Sequence, residues 1–225
     1  MKKFTITLVI AMLLIAVVSL TGCNKSRKIP NAIPTNFDYG SWIGSTYRND
    51  FFGFSITVPN DWHIAGKEDM KAMIQDAQDM DIWNKDELER QKKIAGETTA
   101  NLFFVARFTD EEAMEKEVFN PNINLTVENV SLPGKQIDQA SYVNILRQNL
   151  SKALPGLVIK SQTNKTIGSQ EFTSLQLQFS IEDVFIFQES LICMKNGYAM
   201  LFVMTNIDDS EKQQLDDIMA TLKWD

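Results

Sequence analysis

The sequence predicts an α+β fold, in which helices pack on a mainly antiparallel sheet. Residues 138–153 and 209–222 repeat apolar side chains at spacings of three and four, as one face of an amphipathic helix does. Between these helices lie three strand-like segments, at 171–181, 184–195 and 198–205, which are separated by short turns. Strands joined by short turns pair antiparallel, so this order favours helices layered on an antiparallel sheet.

The first half of the chain changes from strand spacing to helix spacing. Alternation of apolar with small or polar residues predicts a half-buried strand at Phe52, Phe54, Ile56 and Val58. Residues 66–97 have the spacing of an amphipathic helix, with an apolar stripe formed by Met70, Met73, Ile74, Ala77 and Met80. We expect this helical segment to break near Asp81 and to end at Gly96.

Two more strands precede the helix at 138–153. Residues 102–108 are rich in Phe and Val, and residues 123–127 alternate apolar with polar side chains, so a strand is predicted at each place. The acidic residues 110–117 between them are interpreted as a connection. Near the end of the chain, Asn196-Gly197 predicts the tight turn of a hairpin.

The N-terminus carries a targeting pattern. Lys2 and Lys3 precede an uncharged apolar run, which ends in Leu20-Thr21-Gly22-Cys23. A basic start, an apolar run and small residues at a cleavage site are the parts of a secretory signal. The cysteine after the small residues resembles a bacterial lipobox, which implies cleavage before Cys23 and acyl chains on it. An uncleaved membrane anchor and an unmodified Cys23 are the alternatives.

The predicted organisation follows from this pattern. Residues 1–22 are a signal peptide, 23–45 are the lipidated cysteine and a flexible tether, and 46–225 are one domain with a helical insertion at about 66–97. The expected location is the extracytoplasmic face of the cell membrane, where the lipid on Cys23 holds the chain.

The charge balance excludes one class of partner. The formal net charge is −7; without residues 1–22 the 29 acidic residues face 20 basic ones, which gives −9. Nucleic-acid binding needs clustered Lys and Arg to displace counterions, so no nucleic acid is expected as a partner.

From about Tyr47 to Trp224 the chain resembles the PsbP-like (PsbP/DcrB) group of small extracytoplasmic domains. The resemblance rests on Val58-Pro59 followed by Trp62, on the helix at 138–153, and on the run 197–202 with Lys223-Trp224 near the end. It implies an α/β/α sandwich around an antiparallel sheet, and it supplies no shared catalytic residues. The segment 66–97 is longer than the corresponding connection in compact members.

Few residues could carry chemistry. His63 is the one histidine, and Cys193 lies in an apolar run, so neither is expected to be catalytic or to bind a metal. Acidic residues occur as groups on predicted helix faces and are expected to be solvated, without the spacing of a calcium loop. The sequence therefore predicts no cofactor, no metal and no enzyme activity.

Three functions remain open. The first is a non-enzymatic binding or accessory module that contacts an unknown protein or component of the cell envelope, with a candidate partner surface formed by Met70, Met73, Ile74, Met80 and Trp83. The same stripe could instead cover one face of the sheet. A carboxylate-based envelope hydrolase and a carrier of a small apolar ligand are the alternatives. Residues 84–93 are strongly charged and are expected to open more easily than the sheet.

Overall fold

The computed structural model describes residues 31–131, 137–181 and 183–225, without the side chains of residues 74, 77 and 93–95. Its strands are β1 (Ser41–Ile43), β2 (Thr46–Asn49), β3 (Phe54–Thr57), β4 (His63–Ile64), β5 (Thr99–Ala106), β6 (Asn122–Asn129), β7 (Val158–Ile167), β8 (Gln170–Ile181), β9 (Val184–Lys195), β10 (Tyr198–Asn206) and β11 (Lys223–Trp224). Its helices are α1 (Lys67–Asp79), α2 (Lys85–Thr98), α3 (Asp110–Lys116), α4 (Gln139–Ala153) and α5 (Asp209–Met219).

Two antiparallel sheets organise the domain. The large sheet has the strand order β4-β5-β6-β10-β9-β8-β7, and the small sheet has the order β1-β2-β3-β11. Every pairing in both sheets is antiparallel. The α+β prediction is therefore confirmed, and the strands expected at 171–181, 184–195 and 198–205 form β8, β9 and β10.

One face of the large sheet packs against α5 and the small sheet. Alternate residues of a strand point to opposite faces, and those of β10 that point this way include Met200 and Phe202. They join Leu215 and Ile218 of α5 and Phe54 of β3 in one buried cluster that is rich in aromatic side chains. This outer layer is therefore part helix and part sheet.

The opposite face packs against helices. Leu201 and Val203 of β10 and Ile192 of β9 contact the face of α4 that carries Val143 and Leu146. Helix α1 covers the β5 side of the same face, and α2 contacts α4 and β6. The helical segment predicted at 66–97 thus forms two helices on one face of the sheet.

The turn between β9 and β10 has the conformation that its sequence predicts. Asn196 and Gly197 have φ values of 51° and 81°, so both residues of the turn are left-handed, as a two-residue hairpin requires. A side chain at position 197 would also collide with Ser131 Oγ, 2.2 Å from the added Cβ.

The domain begins earlier than the predicted boundary at residue 46. Asn31 Nδ2 donates to Asn129 O at 2.7 Å, and Asn129 Nδ2 donates to Ala32 O at 3.3 Å, which fixes the chain at the end of β6. Phe37 packs on the aromatic cluster, and β1 pairs with β2. Residues 31–45 of the predicted tether therefore contact the domain through hydrogen bonds, ring contacts and strand pairing, which their lack of apolar periodicity does not indicate.

A second difference concerns residues 110–117, which form the helix α3 instead of a simple connection. Thr109 Oγ1 accepts from Glu112 N at 3.2 Å, and Glu112 Oε2 accepts from Thr109 N at 3.0 Å. This reciprocal capping box satisfies two backbone donors at the start of the helix. Within the described residues, no helix has the length and apolarity to cross a membrane.

Candidate functional site

The predicted site residues lie in different parts of the structure. Cys23 and the side chain of Ile74 lie outside the described residues. Met73 is buried at 5% exposure and packs on Phe104 and Ala106 of β5. Trp83 instead packs beside Phe119 and Leu154, at the C-terminal end of α4.

Two other methionines of this surface are only half-buried. Met70 packs against the cluster of Met73 and also borders the groove described below. Met80 caps the C-terminal end of α1. The candidate partner surface remains a prediction, and among its described side chains Met70 lies beside an open groove.

His63 and Cys193 lie in different strands of the large sheet. His63 is half-buried in β4 opposite Ala106. Burial raises the pKa of the nearby Asp110, and the electrostatic interaction with His63 opposes this shift. Cys193 has no exposed surface, and burial raises the pKa of its thiol to about 12, so the thiol is protonated at neutral pH. Within the described ranges, no group of three His, Cys, Asp or Glu side chains is placed to hold a metal ion.

A groove of about 700 Å³ lies between the two sheets and the start of α1. Its base is residues 99–103 of β5. One wall is aromatic and consists of Tyr39, Trp42 and Tyr47, and the other is the first turns of α1 with Lys67, Met70 and Lys71. We call it the β5 groove.

The aromatic wall is held by ring contacts and one hydrogen bond. The Trp42 ring lies 5.4 Å from the Tyr47 ring and 5.8 Å from the Phe103 ring, both in edge arrangements. Tyr47 Oη donates to Tyr39 O at 2.7 Å, and burial raises the pKa of Tyr47. The Tyr47 hydroxyl therefore stays protonated at neutral pH, and the rings of the wall offer apolar surface to the groove.

Gly40 allows the wall to form. Its φ is +67°, and an added Cβ would lie 2.3 Å from Tyr47 Oη. Only glycine combines this backbone conformation with so close an approach.

The opposite wall gives the groove its charge. Lys67 and Lys71 are exposed, and Lys67 Nζ lies 5.4 Å from the centre of the Tyr39 ring. The residues that line the groove include these two lysines and no carboxylate. Two lysines thus line a groove in a chain with a net charge of −7, while the carboxylates of Asp38 and Asp69 lie at its rim on the backbone N–H groups of Gly40 and Gly66.

Sequence reasoning found one part of this groove, Met70. The groove joins residues from β1, β2, α1 and β5, which are far apart in the chain. Trp42 and the spacing of Lys67 and Lys71, four residues apart on one helix face, were the available signals.

Comparison with known proteins gives a likeness to solved structures alone. No protein-family model matches the chain. No curated protein matches it either. The solution structure of the cyanobacterial PsbP (CyanoP) from Synechocystis sp. PCC 6803 is 12% identical, with 83% of this chain and 96% of that chain covered and a TM-score of 0.46.

A second similar structure is that of LpqN, described as involved in cell envelope biogenesis of Mycobacterium tuberculosis. It is 13% identical, with 80% of this chain and 84% of that chain covered and a TM-score of 0.43. A PsbP is thus among the solved structures to which this chain is similar.

Proposed function

We propose that this chain is a lipid-anchored extracytoplasmic accessory module, which binds a component of the cell envelope through the β5 groove. The observation that carries the proposal is the composition of the groove: an aromatic wall, a wall with Lys67 and Lys71, and a strand edge between them. Such a site offers apolar contact, charge and backbone hydrogen bonds to a partner.

The composition of the groove fits binding better than the two alternative functions. A hydrolase with two carboxylates needs them on either side of its substrate, and the residues that line this groove include none. A carrier of a small apolar ligand needs an enclosed apolar cavity, whereas this groove is open and has two lysines on one wall.

The proposed anchor is the lipid on Cys23. The lysines at positions 2 and 3, the apolar run and the Leu20-Thr21-Gly22-Cys23 motif support it. Cys23→Ala is expected to release the protein from the membrane fraction. Intact mass and membrane fractionation measure this. Unchanged membrane retention with the N-terminal segment still attached contradicts the cleaved, lipid-anchored form.

Photo-crosslinking in living cells tests the groove. The crosslinking amino acid p-benzoylphenylalanine in place of Trp42 reports on the groove, and the same amino acid in place of Glu171 is the control, because β8 lies at the opposite side of the sheet. We expect a discrete adduct from position 42 only, and we expect Lys67→Glu with Lys71→Glu to abolish it. Equal adducts from both positions, or adducts insensitive to the charge reversal, would show that the groove is not the binding site.

A further inference from the structure

The β5 groove contains an open edge of the large sheet. Strand β4 pairs with β5 at Ala106 and Val105, and Ala65 N adds a hydrogen bond to Phe104 O at 3.0 Å. Beyond Phe104, the described residues include no strand on this side of β5. Residue 66 leads instead into α1, which turns the chain away from the edge.

The register shows which backbone groups face this edge. Val130 N donates to Gly197 O at 3.1 Å, so even-numbered residues of β6 direct their backbone groups toward β10. Thr126 is one of them, and it lies opposite Asn101 of β5. Asn101 and Thr126 therefore form a pair that is not hydrogen-bonded, in which the N–H and C=O of each residue point away from the other strand. The N–H and C=O of Asn101 thus point into the groove.

An added strand at this edge would have two different faces. Successive side chains of a strand point to opposite sides. On one side they would meet the aromatic wall of Tyr39 and Trp42, and on the other they would meet Lys67 and Lys71. A β-bulge lies between Asn101 and Phe103, so this edge offers pairing around Asn101 to roughly three or four residues of a partner.

We infer that the β5 groove takes an extended acidic segment of a partner protein, which pairs with β5 at Asn101 and alternates apolar with acidic residues. Apolar side chains lie against Trp42, and acidic ones lie beside Lys67 and Lys71. This inference rests on the proposed function and adds the binding mode and the chemistry of the partner. Charge complementarity supports the choice of an acidic segment, since Lys67 and Lys71 in the groove would attract carboxylates of the partner.

Three synthetic peptides test the mode. The probe is a fluorescent nine-residue peptide in which valine and glutamate alternate, flanked by proline to limit self-association. One comparison peptide has lysine in place of glutamate, and the other has the same composition as the probe with its valines in one block. Binding to the full chain in lipid nanodiscs is measured by fluorescence anisotropy. We expect the alternating acidic peptide to bind at least about tenfold more tightly than either comparison peptide.

Two substitutions at Asn101 separate backbone pairing from side-chain contact. Asn101→Pro removes the outward N–H and is expected to weaken binding at least about tenfold. Asn101→Ala keeps the N–H, loses the side-chain bond in which Thr126 Oγ1 donates to Asn101 Oδ1 at 2.8 Å, and is expected to change binding less than about twofold. Circular dichroism checks that both variants are folded.

Charge reversal keeps the test decisive if Asn101→Pro does not fold. Lys67 and Lys71 are exposed, so Lys67→Glu with Lys71→Glu leaves the core unchanged and is expected to make the lysine peptide the tighter ligand. Equal affinity for the three peptides, or an unchanged preference after charge reversal, overturns the inference. If the crosslinked adduct at position 42 still forms in cells when the protein also carries Asn101→Pro, strand pairing is overturned and the proposed function stands.

Discussion

The two long helices on one face of the large sheet cover very different surfaces. Helix α4, with 15 residues, lies on apolar side chains of β8, β9 and β10. Helix α2, with 14 residues, contacts α4 and β6. On this face, β6 carries the buried polar side chains Asn122, Asn124, Thr126 and Glu128.

Different interactions therefore hold the two helices. α4 buries Tyr142, Val143, Leu146 and Leu150, each at 3% exposure or less. Among its described side chains, α2 buries Leu88, Gln91 and Thr98, and Gln91 Nε2 donates to Asn149 O at 3.3 Å and to Glu87 Oε1 at 2.9 Å. Apolar burial stabilises a helix in proportion to area, whereas a hydrogen bond contributes about 1 kcal/mol net. Helices of similar length thus need not contribute similarly to stability.

Truncation of the apolar contact under α4 is expected to have the largest effect. Leu146→Ala is expected to lower the global free energy of unfolding by about 3 kcal/mol, because Leu146 is fully buried in the cluster with Leu201. Urea unfolding measures the change. Leu88→Ala on α2 is the matched control and is expected to cost less. An equal or larger loss for Leu88→Ala would contradict the comparison.

Hydrogen exchange compares the two helices directly. We expect residues 84–93 to open at a free energy about 2 kcal/mol or more below that of α4 and β10, since the described side chains of α2 bury one large apolar residue, Leu88, against four in α4. Exchange of the full chain, resolved by mass spectrometry, gives both values. Equal protection of 84–93 and α4 would refute the prediction.

A single substitution can replace one of the buried polar side chains of β6 by an apolar one. Asn124 is 4% exposed, and its Oδ1 accepts no hydrogen bond from the described residues. Asn124→Val is therefore expected to raise the free energy of unfolding by about 1 kcal/mol.

The matched control is Asn122→Val. Asn122 Nδ2 donates to Asn120 O at 2.9 Å, so this change removes a buried hydrogen bond and is expected to lower stability by about 1–3 kcal/mol. Chemical unfolding of both variants measures the sign. Loss of stability in both would show that the Oδ1 of Asn124 has a partner such as a bound water.

The smallest expected effect is a pH dependence of α2. Hydrogen bonding from Arg90 lowers the pKa of Glu87 to about 2, against an opposing effect of burial, and Gln91 and Lys152 of α4 lower it further. A lowered pKa means that ionised Glu87 stabilises the folded state above its unfolded pKa of 4.5, and that this contribution is lost as pH falls from 4.5 to 2.

Opening of α2 should therefore become easier over that pH range by less than about 1 kcal/mol, since Arg90 is substantially exposed. Hydrogen exchange corrected for the intrinsic pH dependence measures it, and Glu87→Gln is expected to remove it. A pH dependence that persists in Glu87→Gln belongs to another group.

Strong periodicity explains what the sequence predicts well. The hairpin at Asn196-Gly197 and the helices α4 and α5 follow from turn chemistry and from apolar faces that recur at helical spacing. Helix α3 was missed although Thr109 and Glu112 form a capping box, because its acidic residues look like a solvated connection.

The groove could not be found in the same way. Trp42 and Lys71 come together only when β1 pairs with β2 and the small sheet packs on the large one, and no local pattern encodes that packing. The polar side of β6 was also hidden, because alternation in residues 123–127 predicts one buried face and leaves the other to solvent. Here α2 covers that second face.

The hydrogen bonds between Asn31 and the end of β6 limit how far the domain can travel from its proposed anchor. Eight peptide bonds separate Cys23 from Asn31, which allows a reach of roughly 30 Å at most. Tyr39, eight residues after Asn31, already borders the groove. A partner in the same membrane would therefore be confined to a layer near the groove, so a short paired segment of low intrinsic affinity would rebind there more often than the same segment on a freely diffusing protein.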